Sequence, residues 1–299
     1  MINLEGNEGE VTMTGEQSCS LDTAGTPEQR LGVLGCTVVP GERRFSALTG
    51  GWSDGAGRTW TGPLAVLADH VLGEVANRPQ APGFQPVTTA LSLDVLVPPP
   101  WPGDRLHARA ARTAGEVLRD HVTASVRDPD GRLVAVASAW TADVPAPGTT
   151  PLAAGPAVGA RPGQGGIGEL LTDLTEVGSG PDEAVLELDA TGWTNQNGTV
   201  HGGVWACAAE LAATRLTGSA PHAVNRLQLA FLRPGRGRVR LTATALHRGR
   251  TSGLVEVRGR DATGRVCVHA MVGSRADHAA PGAVATLSPA GRNAPPPAR

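Results

Sequence analysis

Two acidic residues stand where acids are costly. Glu210 interrupts the apolar run VWACAAELAAT (204–214), and Asp69 interrupts PLAVLADHVLG (63–73) in the same way. A carboxylate buried without a partner is strongly destabilising or is pushed toward its neutral form. Each therefore needs a structural partner, such as a loop amide to cap, or a chemical task. Just ahead of the second run stands Asn195-Gln196-Asn197-Gly198-Thr199-Val200-His201-Gly202-Gly203. Two glycines at a helix start let a ligand approach bare backbone amides. The N-terminal N–H groups and the helix dipole then favour negative charge developing on an oxygen. A histidine at that point either donates to the ligand or caps the turn. The chemistry such a set supports is stabilisation of negative charge developing on an oxygen, beside an acid that has either a partner or a catalytic task.

The elements that must position these residues come from a repeat. GRTWTGPLAVLADHVLG (57–73) aligns with GTVHGGVWACAAELAAT (198–214) at an offset of 141, pairing Trp60 with His201, Gly62 with Gly203 and Asp69 with Glu210. LSLDVLVP (91–98) matches LQLAFLRP (227–234), and DGRLVAVASA (130–139) matches TGRVCVHAMV (263–272), at offsets of 136 and 133. Each copy reads as a strand, a helix apolar on nearly every face, and four strands. Leu186, Leu188 and Ala190 alternate with Glu187 and Asp189, and Val239, Leu241, Ala243 and Ala245 alternate with Arg and Thr, the period-2 pattern of half-buried strands. The first copy is expected to place strands near 42–49, 86–97, 104–113, 117–128 and 132–141. An all-apolar helix followed by an antiparallel meander is buried only if the sheet wraps around it. The expected class is α+β, with two antiparallel sheets each wrapped around a central helix and joined side by side.

The domain organisation follows from composition. Residues 1–28 read as a flexible leader, 29–144 and 168–278 as the two units, 145–167 as a Pro/Gly/Ala linker and 279–299 as a flexible tail. A net charge of −2 without a basic run argues against nucleic acid. The 26 basic residues are all arginine, and there is no lysine or tyrosine. That excludes a lysine Schiff base, a P-loop lysine and a tyrosine acid–base catalyst. Cys19, Cys36, Cys207 and Cys267 lack metal-ligand spacing, so no zinc site is expected. Neither a signal peptide nor a membrane-spanning run is visible, which gives a cytoplasmic expectation.

NQNGTVHGG, six intervening residues and then Glu resembles the hotdog-fold acyl-CoA thioesterases of the PaaI and 4-hydroxybenzoyl-CoA thioesterase type. The resemblance covers about residues 30–143 and 168–275, so the chain is similar to a double hotdog. It implies paired units whose sheets join, with each site at the seam, the glycine loop of one unit facing the helix acid of the other. It also implies hydrolysis of an acyl-CoA or acyl carrier thioester to free acid and thiol, with coenzyme A entering only as part of the substrate and no separate cofactor. The alternative is a non-catalytic hotdog that binds acyl-CoA as sensor or scaffold. Pairing of two such chains into a homodimer is left open.

Carried over by position, the resemblance implies two composite sites. One joins Asn195, His201 and Gly202 to Asp69 and keeps every element of the motif. The other joins Glu210, with Thr214 one turn later, to a first-copy loop that carries Trp60, Thr61 and Asp54 in place of His201, Gly202 and Asn195. If loop and acid of one copy worked together instead, His201 and Glu210 would be the pair. His70 beside Asp69 and Cys207 before Glu210 read as packing residues. Arg248 and Arg250, in an expected turn, are candidates to grip coenzyme A phosphates.

Overall fold

The computed structural model describes residues 17–19, 25–39, 42–76, 83–113, 121–145, 166–217 and 222–276. Most of the expected linker and the whole expected tail lie outside the described residues. In chain order the elements are β1 (Gln17–Cys19), α1 (Pro27–Arg30), β2 (Val33–Val39), β3 (Glu42–Leu48), a 3-10 turn at Gly50–Trp52, α2 (Gly62–Ala76), β4 (Phe84–Val95), β5 (Arg105–Arg112), β6 (His121–Arg127) and β7 (Leu133–Pro145). The second series is α3 (Gly166–Asp173), β8 (Leu174–Ser179), β9 (Glu183–Asp189), α4 (Gly202–Thr217), β10 (His222–Phe231), β11 (Arg238–Arg248), β12 (Ser252–Arg260) and β13 (Val266–Ala276). Three strands outrun the sequence reading: β1, β2 and β8. β1 and α1 both begin inside the stretch that composition reads as leader.

The strands form one antiparallel sheet of thirteen, ordered β1-β2-β3-β5-β6-β7-β4-β10-β13-β12-β11-β9-β8. The expectation of two sheets is thus corrected to one. The reason is the β4–β10 ladder, which pairs Leu91 with Leu229, Ser92 with Gln228 and Leu93 with Leu227, so backbone hydrogen bonds run through the join. Gln228 is the 136-offset counterpart of Ser92, so counterparts face each other at the centre of the sheet. Every second residue of β5, β6 and β9 is buried, as is every second residue of β11 as far as Ala243, and these point to one side of the sheet.

That side holds α2 and α4, both buried along almost their full length. The two helices pack antiparallel through glycine. A Cβ on Gly62 would lie 2.6 Å from the Cys207 Cα, and one on Gly203 would lie 2.4 Å from the Val66 Cα. Gly62 and Gly203 are 141 residues apart, as are Val66 and Cys207, so the two contacts are the same contact made twice. Backbone against backbone leaves no room for a methyl group. We expect Gly203→Ala to lower the unfolding free energy by at least about 1–3 kcal/mol, the usual cost of overpacking, as read from a denaturant titration monitored by Trp fluorescence.

Candidate functional site

Each helix carboxylate ends up on the other helix's N-terminus. Glu210 of α4 accepts from the Thr61 N–H at 3.1 Å and from the Gly62 N–H, at the start of α2. Asp69 of α2 accepts from the Gly203 N–H at 3.1 Å, at the start of α4. Both acids are buried. The loops leading into the two helices match bond for bond. Asp54 N–H donates to the Arg58 carbonyl and Asn195 N–H to the Thr199 carbonyl, while Trp60 N–H reaches the Trp52 carbonyl and His201 N–H the Trp193 carbonyl. Gly57 and Gly198 hold the same left-handed backbone, φ 82° and 65°.

The Asn195 side chain holds this loop together. Its Oδ1 accepts from Asn197 N–H, Thr199 N–H and the Thr199 hydroxyl at 2.9–3.2 Å. Asp54 does the same for the first loop, accepting from Ala56 and Arg58 N–H. Such an Asx turn fixes where residues 199–203 enter the helix.

At the Asp69 seam the charges cluster. His201 caps α4: its carbonyl accepts from the Trp205 N–H at 3.1 Å, and its Nδ1 lies 3.0 Å from the Gly203 nitrogen and 3.5 Å from Asp69 Oδ2. Its Nε2 lies 3.2 Å from Glu28 Oε1, and His70 Nδ1 lies 3.2 Å from the same oxygen. The Thr88 hydroxyl donates to Asp69 Oδ1 at 3.4 Å. Burial alone would lower the His201 pKa, but Glu28 and then Asp69 outweigh it and push it up to about 9. For Glu28 burial works upward, and the two histidines more than reverse it, holding the carboxyl well below the usual range. Two carboxylates on one imidazole favour the imidazolium.

The Glu210 seam is built differently at the same positions. Trp60 turns to its own loop, its indole N–H donating to Asp54 Oδ2 at 3.0 Å, with the Arg58 guanidinium 4.2 Å over its ring. Arg58 also donates to the Thr214 hydroxyl at 3.5 Å, so Thr214 is tied to the loop. Burial pushes Glu210 up to about 7, against the pull of the two amides and Arg58. Burial and the neighbouring Glu210 push the buried Cys207 thiol well up, which leaves it a poor nucleophile.

The histidine loop therefore meets Asp69, not Glu210. Arg248 is bonded within the protein, to the Pro181 carbonyl and to Asp182 at 3.4 Å. The β11–β12 turn that carries Arg248 and Arg250 adjoins Thr217, at the far end of α4 from Gly202. A helix of 16 residues spans about 24 Å. The phosphate-gripping expectation thus falls remote from Asp69. Among the described residues no cluster of His, Cys, Asp or Glu is arranged to hold a metal ion, and no helix is long and apolar enough to cross a membrane. Sequence reading missed Glu28, Thr88 and Arg58 as parts of these sites. It also read His70 as packing alone; the ring does pack edge-on against Phe45, but it also bonds Glu28.

Residues 190–274, which hold the Asn195 loop and α4, match the family model of the acyl-CoA thioesterase N-terminal domain. The likeness to that family thus rests on the second unit, and the whole chain shares the hotdog fold. Solved hotdog structures resemble it along most of its length. A tesB protein of Mycobacterium avium subspecies paratuberculosis aligns over 78% of this chain and 92% of its own, at 12% identity and a TM-score of 0.54. A conserved protein of unknown function with a hot dog fold from Alicyclobacillus acidocaldarius aligns over 84% and 98%, at 12% identity and a TM-score of 0.55. At that identity the likeness speaks for the hotdog fold.

The charge cluster predicts how the stability of this hotdog protein varies with pH. A group whose folded pKa is raised contributes stability below its unfolded value and loses it as pH rises through the folded value. For His201 that window runs from 6.5 to about 9. Unfolding free energy should therefore decline across it, and His201→Asn should flatten the decline in denaturant titrations at stepped pH. A second expectation concerns the other seam. Glu210→Ala strips the acceptor from two buried amides, each worth about 1–3 kcal/mol when unsatisfied. Chemical denaturation should show a loss of roughly 2–5 kcal/mol.

Proposed function

We propose that the chain is two hotdog units fused in tandem and that it hydrolyses an acyl-CoA or acyl carrier protein thioester to free acid and thiol, at the Asp69 seam. The observation that carries the choice of seam is the state of the first helix amide. Thr61 N–H is occupied by Glu210. Its counterpart, the Gly202 N–H, has no acceptor among the described residues. Gly202 is half-buried, at a position where a side chain would collide with Asp69. A thioester carbonyl set against Gly202 would find an unused N–H donor, the positive end of α4 and the His201 imidazolium. Asp69 would act from the other side, either attacking the carbonyl carbon or taking a proton from water as it attacks. The thiolate leaves and takes up a proton; where Asp69 has attacked, water then hydrolyses the acyl–Asp69 anhydride to free acid, and the Asn195 turn keeps loop and acid in register.

The non-catalytic reading is supported for the Glu210 seam alone. There the carboxylate fills the donors that an oxyanion would need, and Trp60 offers neither an acceptor nor a transferable proton. Glu210 is assigned to holding α2 and α4 together.

Thiol release from a panel of acyl-CoAs, followed with a thiol-reactive dye, tests this. Asp69→Asn should reduce turnover by at least about 10²–10⁴-fold, the usual contribution of a positioned acid or base. Glu210→Gln should retain most of it. Silencing by Glu210→Gln with Asp69→Asn active would move catalysis to the other seam, and no release from any thioester by wild type would favour a binding role throughout.

A further inference from the structure

Glu28 enters the Asp69 site from outside the glycine loop and both central helices. It sits on α1, a single turn started by Thr26 and Pro27, with only 12% of its side chain exposed. One oxygen, Oε1, meets both His201 Nε2 and His70 Nδ1 at 3.2 Å. His70 Nε2 is buried with no partner among the described residues. An N–H left there would be unsatisfied, so the proton sits on Nδ1 and points at Glu28.

The second seam supplies the comparison. Carried back to the short helices, the offset pairs Glu28 with Glu169, and Gly25 and Gly166, the same distance apart, both adopt positive φ. Glu169 is 43% exposed and pairs with Arg30. The counterparts of His70 and His201 are Leu211 and Trp60. Glu28, His70 and His201 are thus assembled at one seam only, the one with the unused Gly202 amide.

We propose that Glu28 is a positioning residue for the Asp69 site, holding His201 in its doubly protonated form so that Nδ1–H is aimed at Asp69. The proposal rests on the Asp69 seam being the hydrolytic one. The charged groups facing His201 are Glu28 from α1 and Asp69 from α2, with His70 bracing Glu28 from behind. The Gly203 N–H stands between two acceptors, Nδ1 at 3.0 Å and Asp69 Oδ2 at 3.1 Å. With His201 charged, Nδ1 donates to Asp69 and the amide turns to Asp69 as well. With His201 neutral and its proton on Nε2, Nδ1 can only accept, and it draws the Gly203 amide away from Asp69. Glu28 selects between the two, and only the first keeps a positive charge beside the carbonyl.

Glu28→Gln keeps the side chain's shape and an acceptor oxygen while removing its charge. Histidine rings labelled with ¹³C in the full chain, with His201 assigned through His201→Asn, should titrate at about 9 in wild type and near the ordinary histidine value of about 6.5 in Glu28→Gln. Thioester turnover by the variant should fall about ten- to thirty-fold at pH 8, where little imidazolium remains, and stay within about five-fold of wild type at pH 6. A merely structural role would lower both rates alike. An unchanged His201 titration in Glu28→Gln overturns the proposal. If the variant does not fold, the wild-type titration decides, a midpoint near 6.5 overturning it. Should wild type release no thiol while the His201 midpoint still depends on Glu28, the charge-setting role stands and the hydrolytic reading falls.

Discussion

The contact on which the rest depends is the crossed packing of α2 and α4, with each helix's acid seated on the other's first turn. Gly62 and Gly203 let the backbones touch, and that approach carries Glu210 and Asp69 to amides that a bulkier residue would hold out of reach. A carboxylate at a helix N-terminus gains about 0.3–1 kcal/mol when exposed and up to about 2 kcal/mol when partly buried. Taking an ion out of water costs several kcal/mol. The cap alone is therefore too weak to keep a buried acid charged. At Glu210, with two amides bound and Arg58 nearby, burial still pushes the carboxyl up to about 7. At the Asp69 seam a further charge is brought in, on the His201 ring.

The sheet answers to the same constraint. Two helices apolar on every side must be covered on every side, and neither meander can do this alone. Joining β4 to β10 through Ser92 and Gln228 closes the gap with backbone hydrogen bonds and leaves no strand edges at the centre. The symmetry of that join sets the symmetry of the helix contact beneath it. Where the two copies diverge, at His201 against Trp60 and at Glu28 against Glu169, the scaffold is unchanged while the chemistry differs. The loop bonds survive the exchange of His201 for Trp60 because they run through backbone groups and through Asn195 or Asp54, which serve the turn equally well.

The sequence was legible where a period or a repeat carried the signal. Alternation in β9 and β11, the unbroken apolar runs of α2 and α4, and the 141-residue offset together point to the paired helices and their acids. Join and count of strands were less legible. Whether two meanders hydrogen-bond edge to edge depends on registers that Leu91 and Leu229 do not reveal in isolation, so two sheets were expected where there is one. β1, β2 and β8 were missed because Gly35, Gly178 and scattered polar residues blur their alternation. Glu28 escaped because a four-residue helix has no periodicity to read. Thr26-Pro27-Glu28 is nonetheless a helix-start pattern, and the offset, carried back past the glycine loop, lands on Glu169 in α3.

The divergence of the two seams follows from what position 60 or 201 can do with a buried acid. Imidazole can be charged and has two nitrogens on opposite edges, so it bridges Asp69 to a second carboxylate and shares one proton-rich network with both. That network requires a further acid, which α1 supplies as Glu28, and a further donor to satisfy that acid, which α2 supplies as His70. Indole has one donor and no charge. It can satisfy only its own loop, at Asp54, and it leaves Glu210 to the backbone amides and the more distant Arg58. Once Trp stands at the cap, an acid at position 28's counterpart has nothing to pair with inside, and Glu169 lies outward against Arg30. The change of ring at the helix cap, together with Leu211 where the other copy has His70, thus accounts for which seam carries a charged cluster and which is closed by its own carboxylate.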